Sequence, residues 1–394
     1  MKNALFGYNV HRNIVKKLQF SCRFLSQHAI VIVQYLIFLF KGRSKEMDLQ
    51  ILELFSGIGG MNYAFKESGI PGQIVAAVDI NTNANAVYAY NNRQTTVLNN
   101  NVQKLDLKTL EKLQINCILM SPPCQPHTRV GHKKDIEDNR SHGLMHICSL
   151  LPECTSVRYI LMENVKGFEG SLAHSLYTQT LRKAGFHYRE FILSPTQLNI
   201  PNTRYRYYCL ARRDQNFPFG GERIWTEFPT IKQQQKCTNT IKNILESDSL
   251  LSADFLVDQK TLDRRVLLMD IVTSSSTNTM CFTKAYAHYT EGTGSIFCPL
   301  KPEQMHQIFG KLKHLDNGNS SKENQTLERR ELLQSLRLRY FTPREVARLM
   351  GFPDTFNFPL EITNRQRYKL LGNSINVQLV SELIKVICLQ EQLY

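Results

Sequence analysis

The stretch that most constrains this chain is Met120-Ser121-Pro122-Pro123-Cys124-Gln125-Pro126. Residues Cys117 to Ser121 form an apolar run containing β-branched Ile118 and ending in turn formers, the pattern of a short buried strand. Two prolines then stop any helix and remove two backbone donors. The Cys124 thiol follows at once, at the carboxyl end of the strand, the edge at which open α/β sheets bind ligands. A free Cys beside a proline turn is more often a small buried hydrophobe than a reagent. The weight therefore falls on what flanks it.

Leu49 to Phe55 reads as a first strand, Ser56-Gly57-Ile58-Gly59-Gly60 as a turn, and Met61 to Glu67 as the start of a helix. The glycines let the backbone pass close to a ligand where a Cβ would clash. A second strand, Ile74 to Val78, ends at Asp79, twenty residues after Gly59. In such a unit an acid at that spacing faces the ribose hydroxyls of an adenosine ligand. The full dinucleotide pattern fails, because Asn62 stands where a third Gly belongs, and a tight turn with a helix-capping acid is the alternative. A third strand precedes Asn99 to Gln103, and the fifth, Tyr159 to Met162, ends at Glu163-Asn164-Val165. That puts a carboxylate on the rim that holds Cys124, although alone such an acid is more often a helix cap or a surface acid. A later strand, Tyr207 to Ala211, follows Gln197, Pro201, Asn202, Arg204 and Arg206. Two Arg at i and i+2 on an extended segment point the same way. They suit clamping an anion or holding a carboxylate in place.

At 394 residues the chain predicts one large domain and a smaller one. The expected boundaries are 1–46 for an extension, 47–212 for the main domain, 213–339 for the small domain and 340–394 for helices completing the main one. From Arg213 to about Arg339 the texture changes: Trp225 sits among Phe217, Phe219 and Phe228, and Gln233 to Lys242 and Asn317 to Asn324 are polar. Thr342 and Pro343 carry helix-start chemistry. Val377 to Leu389 is amphipathic and follows a Leu371-Gly372-Asn373-Ser374 turn. Ten Cys with no C-x-x-C pair exclude a zinc ribbon or thioredoxin-like motif and predict a reducing compartment. Residues 1–45 hold eight of the 48 Lys and Arg and none of the 34 Asp and Glu, so the remaining chain is only mildly basic, 40 against 34. Their apolar run, Ala29 to Phe40, is shorter than the roughly 20 residues that span a bilayer. A transit peptide, a signal-anchor and an extension irrelevant to a protein starting at Met47 all remain open, the last being favoured.

Taken together, these segments resemble the cytosine-5 methyltransferase family. Phe55-Ser56-Gly57-Ile58-Gly59-Gly60 is similar to its S-adenosylmethionine loop, Pro122-Pro123-Cys124-Gln125 to its nucleophile loop and Glu163-Asn164-Val165 to its glutamate motif. Gln197 with Arg204 and Arg206 resembles the Q-x-R-x-R motif, and Gly372-Asn373-Ser374 the closing motif. Cys281-Phe282-Thr283 resembles the branch that methylates cytosine-38 in the anticodon loop of tRNA(Asp). The resemblance implies an α/β, Rossmann-like class I methyltransferase fold with a small target-recognition domain. It implies Cys124 as nucleophile, Glu163 as acid at the base, and Arg206, or alternatively Arg204, as its orienting partner. It implies a cofactor site of Phe55 to Gly60, Asp79, Ile80, Asn101, Val102, Ser121, Asn373 and Ser374, and base contacts from Gln125, Asn164, Gln197, Cys281, Phe282 and Thr283. S-adenosylmethionine is the expected cofactor, without a metal, and tRNA the expected partner, with weak DNA binding open. A monomer without stable membrane association is expected, cytoplasmic and nuclear, or mitochondrial if the extension acts as a transit peptide. Two departures stand out: His127 where many members have Phe, and Asn101 where an Asp is usual. A DNA methyltransferase and a non-catalytic nucleic-acid-binding relative are the competing readings.

Residues 1–46 carry none of these motifs. A chain starting at Met47 is therefore expected to fold and to methylate like the full chain. Comparing turnover and melting of the two proteins checks this, and an insoluble or inactive short form would place the extension inside the fold.

Overall fold

The computed structural model describes residues 48–123, 141–221, 223–229, 238–247, 253–316 and 322–388. Its first strand, β1 (Leu49–Leu54), shows how the fold is built. Alternate side chains leave a strand on opposite faces. Ile51 enters one hydrophobic core with Cys117, Leu119 and Leu161, while Leu52 and Leu54 enter a second with Ile118, Met120 and Met162. A strand buried on both faces belongs at the centre of a sheet covered by helices on each side.

The order along the chain is β1, α1 (Gly60–Ser68), β2 (Gly72–Asp79), α2 (Thr82–Asn91), β3 (Thr96–Asn99), α3 (Leu107–Lys112), β4 (Cys117–Met120), α4 (His142–Leu150), β5 (Tyr159–Val165), α5 (Leu172–Lys183), β6 (His187–Leu193), β7 (Arg206–Arg212) and β8 (Ile224–Trp225). The sheet runs β3-β2-β1-β4-β5-β7-β6-β8. It is parallel except for β7, which is antiparallel to both β5 and β6. The order turns back between β1 and β4, the switch point at which such sheets open a ligand crevice.

After the sheet come α6 (Gln259–Arg265), β9 (Ile271–Val272), β10 (Ile296–Phe297), α7 (Pro302–Asp316), α8 (Lys322–Ser335) and β11 (Arg339–Tyr340). The three short strands form a second sheet, β11-β10-β9, with its own core of Val257, Leu262, Ile296, Leu312 and Leu333. The chain then returns through α9 (Pro343–Leu349), α10 (Asn364–Gly372) and α11 (Val377–Ile387). Thr342 caps α9 in a capping box with Glu345, with Pro343 at its first turn. Helix α11 buries Val377, Leu379, Val380, Leu383 and Ile384 and packs along α1.

Several elements differ from the sequence expectation. Glu163, Asn164 and Val165 lie inside β5, not beyond it, because β7 pairs with all three through Tyr208, Tyr207 and Arg206. Strand β6 was not anticipated, and the large sheet runs on through β8 beyond the expected transition at Arg213. Phe217, Phe219 and Phe228 accordingly join the core shared with Phe191 and Tyr208. Leu371 and Gly372 end α10, so the turn starts at Asn373.

One acid is fully buried in the sheet. Glu53 of β1 accepts a 2.6 Å bond from the Tyr88 hydroxyl, to which Asn62 Nδ2 donates in turn. Burial pushes the Glu53 carboxyl from its ordinary 4.5 up to about 8, against the smaller opposing pull of Tyr88. A carboxyl raised in the folded state binds its proton there and not in the unfolded chain. Its contribution is complete below about 4.5 and is lost as pH rises toward about 8. Urea midpoints are therefore expected to fall across that window, on the order of 1 kcal/mol per pH unit. Glu53→Gln should flatten the decline.

Candidate active site

Parallel register sets the rim. Leu54 pairs with Val78 and Met120, and Met120 with Met162. The residues that follow these four, Phe55, Asp79, Ser121 and Glu163, therefore emerge side by side. At the first of them the chain turns sharply: Phe55 takes a left-handed φ of 54°, and Gly57 (54°) and Gly59 (87°) follow. Only glycine adopts such angles without strain. Gly60 lies so close to the closing segment that a Cβ there would sit 2.7 Å from Ile375. Asp79 holds the loop: Oδ2 accepts from Gly57 N and Oδ1 from Asn81 N, both at 2.8 Å. A carboxylate offers about four lone-pair sites, so acceptor capacity remains. Beside it Ile80 is 71 % exposed, an apolar face at the rim. Ser56 Oγ is buried with no hydrogen-bond partner among the described residues.

Ser121 starts the next loop. Its N–H donates to Leu54 O and its Oγ to Phe55 O at 3.2 Å. Asn164 Nδ2 donates to Pro122 O at 3.4 Å, so β1 and β5 brace the departing chain from both sides. Cys124 and Gln125 lie outside the described residues, as does His127.

Glu163 is buried beside the crevice, and Arg206 Nε approaches its Oε1 at 3.4 Å. Burial raises the Glu163 pKa, opposed by the guanidinium groups of Arg206 and Arg204. Arg204 is buried more deeply and serves two distant segments. It donates to Phe282 O and Gly372 O at 3.2 Å, to Ser374 O, and to Cys281 Sγ at 3.3 Å. Arg206 also reaches Cys281 Sγ, at 3.8 Å. Burial alone would push the Cys281 thiol up, but the two guanidinium groups together bring it below its usual range. No spacing in the sequence marks this two-arginine thiol site, because its partners stand more than seventy residues apart.

The remaining residues divide. Ser374 and Asn373 follow α10 next to Gly60. Thr283 packs its backbone against Gly372, where a Cβ would meet Thr283 C at 2.2 Å. Asn101 caps the short helix Val102–Lys104, with both its polar atoms engaged by Gln103, and Val102 is buried beneath it. Gln197 Oε1 accepts from Ser194 N and its Nε2 donates to Thr226 O, so its polar atoms hold the local backbone. The Phe282 ring is 1 % exposed against Tyr286 and Phe341. Of these two positions, expected from the resemblance to touch the base, Phe282 has its ring in the core and Gln197 has its polar atoms on the backbone of Ser194 and Thr226.

The model of the C-5 cytosine-specific DNA methylase family matches residues 49–388. The chain belongs to this family. Among similar proteins, the tRNA (cytosine(38)-C(5))-methyltransferase of Spodoptera frugiperda is 45 % identical over 343 residues, covering 86 % of this chain and 99 % of that one. The Homo sapiens protein of the same description is 40 % identical, with the same two coverages. Among solved structures, a Spodoptera frugiperda DNMT2 mutant superposes with a TM-score of 0.76 at 44 % identity, over 86 % of this chain and 98 % of that chain. The fold is that of the class I methyltransferases, and this cytosine-5 methylase is an enzyme of the methyltransferase class.

In this methylase, Arg204 joins the rim to both later segments. Arg204→Ala would leave three buried carbonyls without their donor. Hydrogen bonds to a charged group contribute about 1.5–3 kcal/mol each, partly recovered by water. A loss of about 2–4 kcal/mol in unfolding free energy is expected, read by denaturant titration. Arg206→Ala, with a more exposed side chain, should lose much less stability.

Proposed function

We propose that this chain transfers a methyl group from S-adenosylmethionine to C5 of a cytosine in RNA, namely cytosine-38 in the anticodon loop of a tRNA, with tRNA(Asp) the first to test. What carries this reading is the near full-length likeness to methyltransferases described for that position, at up to 45 % identity. Residues 213–339 act in this reading as the target-recognition region.

The cofactor fits the rim. The Asp79 carboxylate has acceptors left for ribose hydroxyls, Ile80 offers an apolar face to an adenine ring, and Ser56 Oγ is an orphaned polar atom in the same turn. Bound there, S-adenosylmethionine supplies an electrophilic methyl group. Asn101, engaged with Gln103, contributes its helix cap and not a carboxylate.

The chain's own residues prepare the base. C5 of cytosine is a poor nucleophile until C6 accepts an electron pair. The Cys124 thiolate adds to C6, forming the S–C6 bond and pushing electron density onto C5. A Cys of pKa about 8.5 is only a few per cent ionised at neutral pH, so neighbouring positive charge assists. Glu163 bonds N3 and the exocyclic amine, and burial shifts its pKa upward, the direction that favours proton donation to N3. Acid catalysis of this kind is worth roughly 10²–10⁴-fold. Arg206 fixes the carboxyl, and Asn164 holds Pro122, from which the nucleophile loop departs. Once C5 has taken the methyl group and the sulfonium has become a thioether, loss of the C5 proton to a base restores the C5–C6 double bond and lets Cys124 leave.

A loop cytosine suits this chemistry better than a paired one. Extruding a paired base costs a few kcal/mol, and each 1.4 kcal/mol is a tenfold rate penalty unless contacts repay it. Labelled S-adenosylmethionine with tRNA and with duplex DNA in parallel is the test. Turnover on tRNA should greatly exceed that on DNA, bisulfite sequencing should place the methyl group in the anticodon loop, and Cys124→Ala should abolish it. Equal or faster turnover of the duplex would instead establish a DNA methyltransferase.

A further inference from the structure

The end of the large sheet opposite the rim carries a second basic surface. There Tyr159, Arg212 and His187 stand side by side on β5, β7 and β6, whereas Val165, Arg206 and Leu193 mark the catalytic end. Seven strand residues separate the two ends by about 20 Å. A cleft of about 320 Å³ opens at the far end, with Arg182, His187, Tyr188, Arg189 and Arg223 in its lining.

Its cations are arranged on aromatic rings. Arg182 lies over Tyr188 (5.2 Å), Arg223 over Trp225 (4.3 Å), Arg213 over Phe186 (4.5 Å) and Arg189 over Phe217 (5.5 Å). Stacking fixes the plane of a guanidinium while leaving its donor edge free to fork onto an oxygen pair. Arg189 spends its edge on Phe219 O, and Arg213 donates to Leu151 O. Arg182, Arg223 and His187 are exposed. The acid in the cleft lining, Glu190, is engaged by His174 and the Tyr207 hydroxyl, and nearby Asp214 by Arg158. Glu222 lies outside the described residues.

We propose that this cleft binds backbone phosphates of the RNA substrate, at a stem distant from the target loop. The inference rests on the RNA reading above and adds a second point of contact to it. Ring-stacked arginines are pre-organised for bidentate phosphate recognition. An RNA whose loop sits at the rim continues through its first stem into the rest of the molecule, and the positive end of the sheet lies about 20 Å from that rim, on the side where those further stems can fall. Nothing in the reaction itself requires arginines there.

The test is the Arg182→Glu/Arg223→Glu double variant, with full-length tRNA and with the isolated anticodon stem-loop. On tRNA, KM should rise about tenfold at unchanged kcat. The slope of log KM against log salt should fall by roughly 0.7–0.9 for each lost phosphate contact. On the stem-loop, too short to reach the cleft, the variant should match the wild type. Arg182→Lys/Arg223→Lys should restore most of the affinity for tRNA. An unchanged KM and salt slope on tRNA, or an equal loss on both RNAs, would overturn the proposal. If the wild type methylates no RNA, the substrate reading fails separately. Filter binding of tRNA by the same variants then decides the cleft, unchanged binding ruling it out.

Discussion

The arrangement of this molecule hangs on one buried cation. Arg204 stands just before β7, at the end of the large sheet, and its guanidinium ends on carbonyls of Phe282, Gly372 and Ser374. Those partners come from the loop between β9 and β10 and from the last helices, 78 to 170 residues away. A guanidinium has five donors in a fixed fork and cannot lose its charge, so it can satisfy several converging carbonyls that no neutral side chain could. The convergence is tight: Gly372 meets the Thr283 backbone too closely for any Cβ, and a Cβ at Gly60 would press 2.7 Å from the Ile375 side chain. Two missing side chains and one cation therefore bring the glycine turn after β1, the Glu163 strand and the chain's closing segment together.

Register then does the fine positioning. Because β1, β2, β4 and β5 are parallel and in step at Leu54, Val78, Met120 and Met162, their next residues fall on one line. The reversed strand β7 brings Arg206 back to that line from the opposite direction, opposite Val165 and on the face of Glu163. A parallel strand there would have carried Arg206 to the far end of the sheet.

This explains which parts were legible in the sequence. The strand, glycine turn and Asp79 could be read because local periodicity and spacing fix them, and Asp79 does hold Gly57. The cap at Thr342 was readable for the same reason. What could not be read depends on distant pairing. Glu163 sits inside a strand only because β7 extends that strand. Phe217, Phe219 and Phe228 mimic a separate aromatic patch, yet β8 folds them back onto the large sheet, beside Phe191. The packing of the Phe282 ring against Phe341 and the bond from Gln197 to Thr226 O likewise depend on distant segments. Cys124 lies outside the described residues, so its proposed role as nucleophile rests on the sequence resemblance.

The charge balance around Glu163 follows from the same geometry. Two guanidinium groups face the carboxyl and the Cys281 sulfur within one buried neighbourhood. Isolated buried charge is costly, so cations there require anions. Burial lifts the Glu163 pKa, and the guanidinium groups of Arg206 and Arg204 oppose that rise. At Cys281 the same two groups outweigh burial and bring the thiol below its usual value. The Cys281-Phe282-Thr283 segment thus has a physical use in each member: the sulfur accepts from both guanidinium groups, the Phe282 carbonyl anchors Arg204, and the Thr283 backbone receives Gly372.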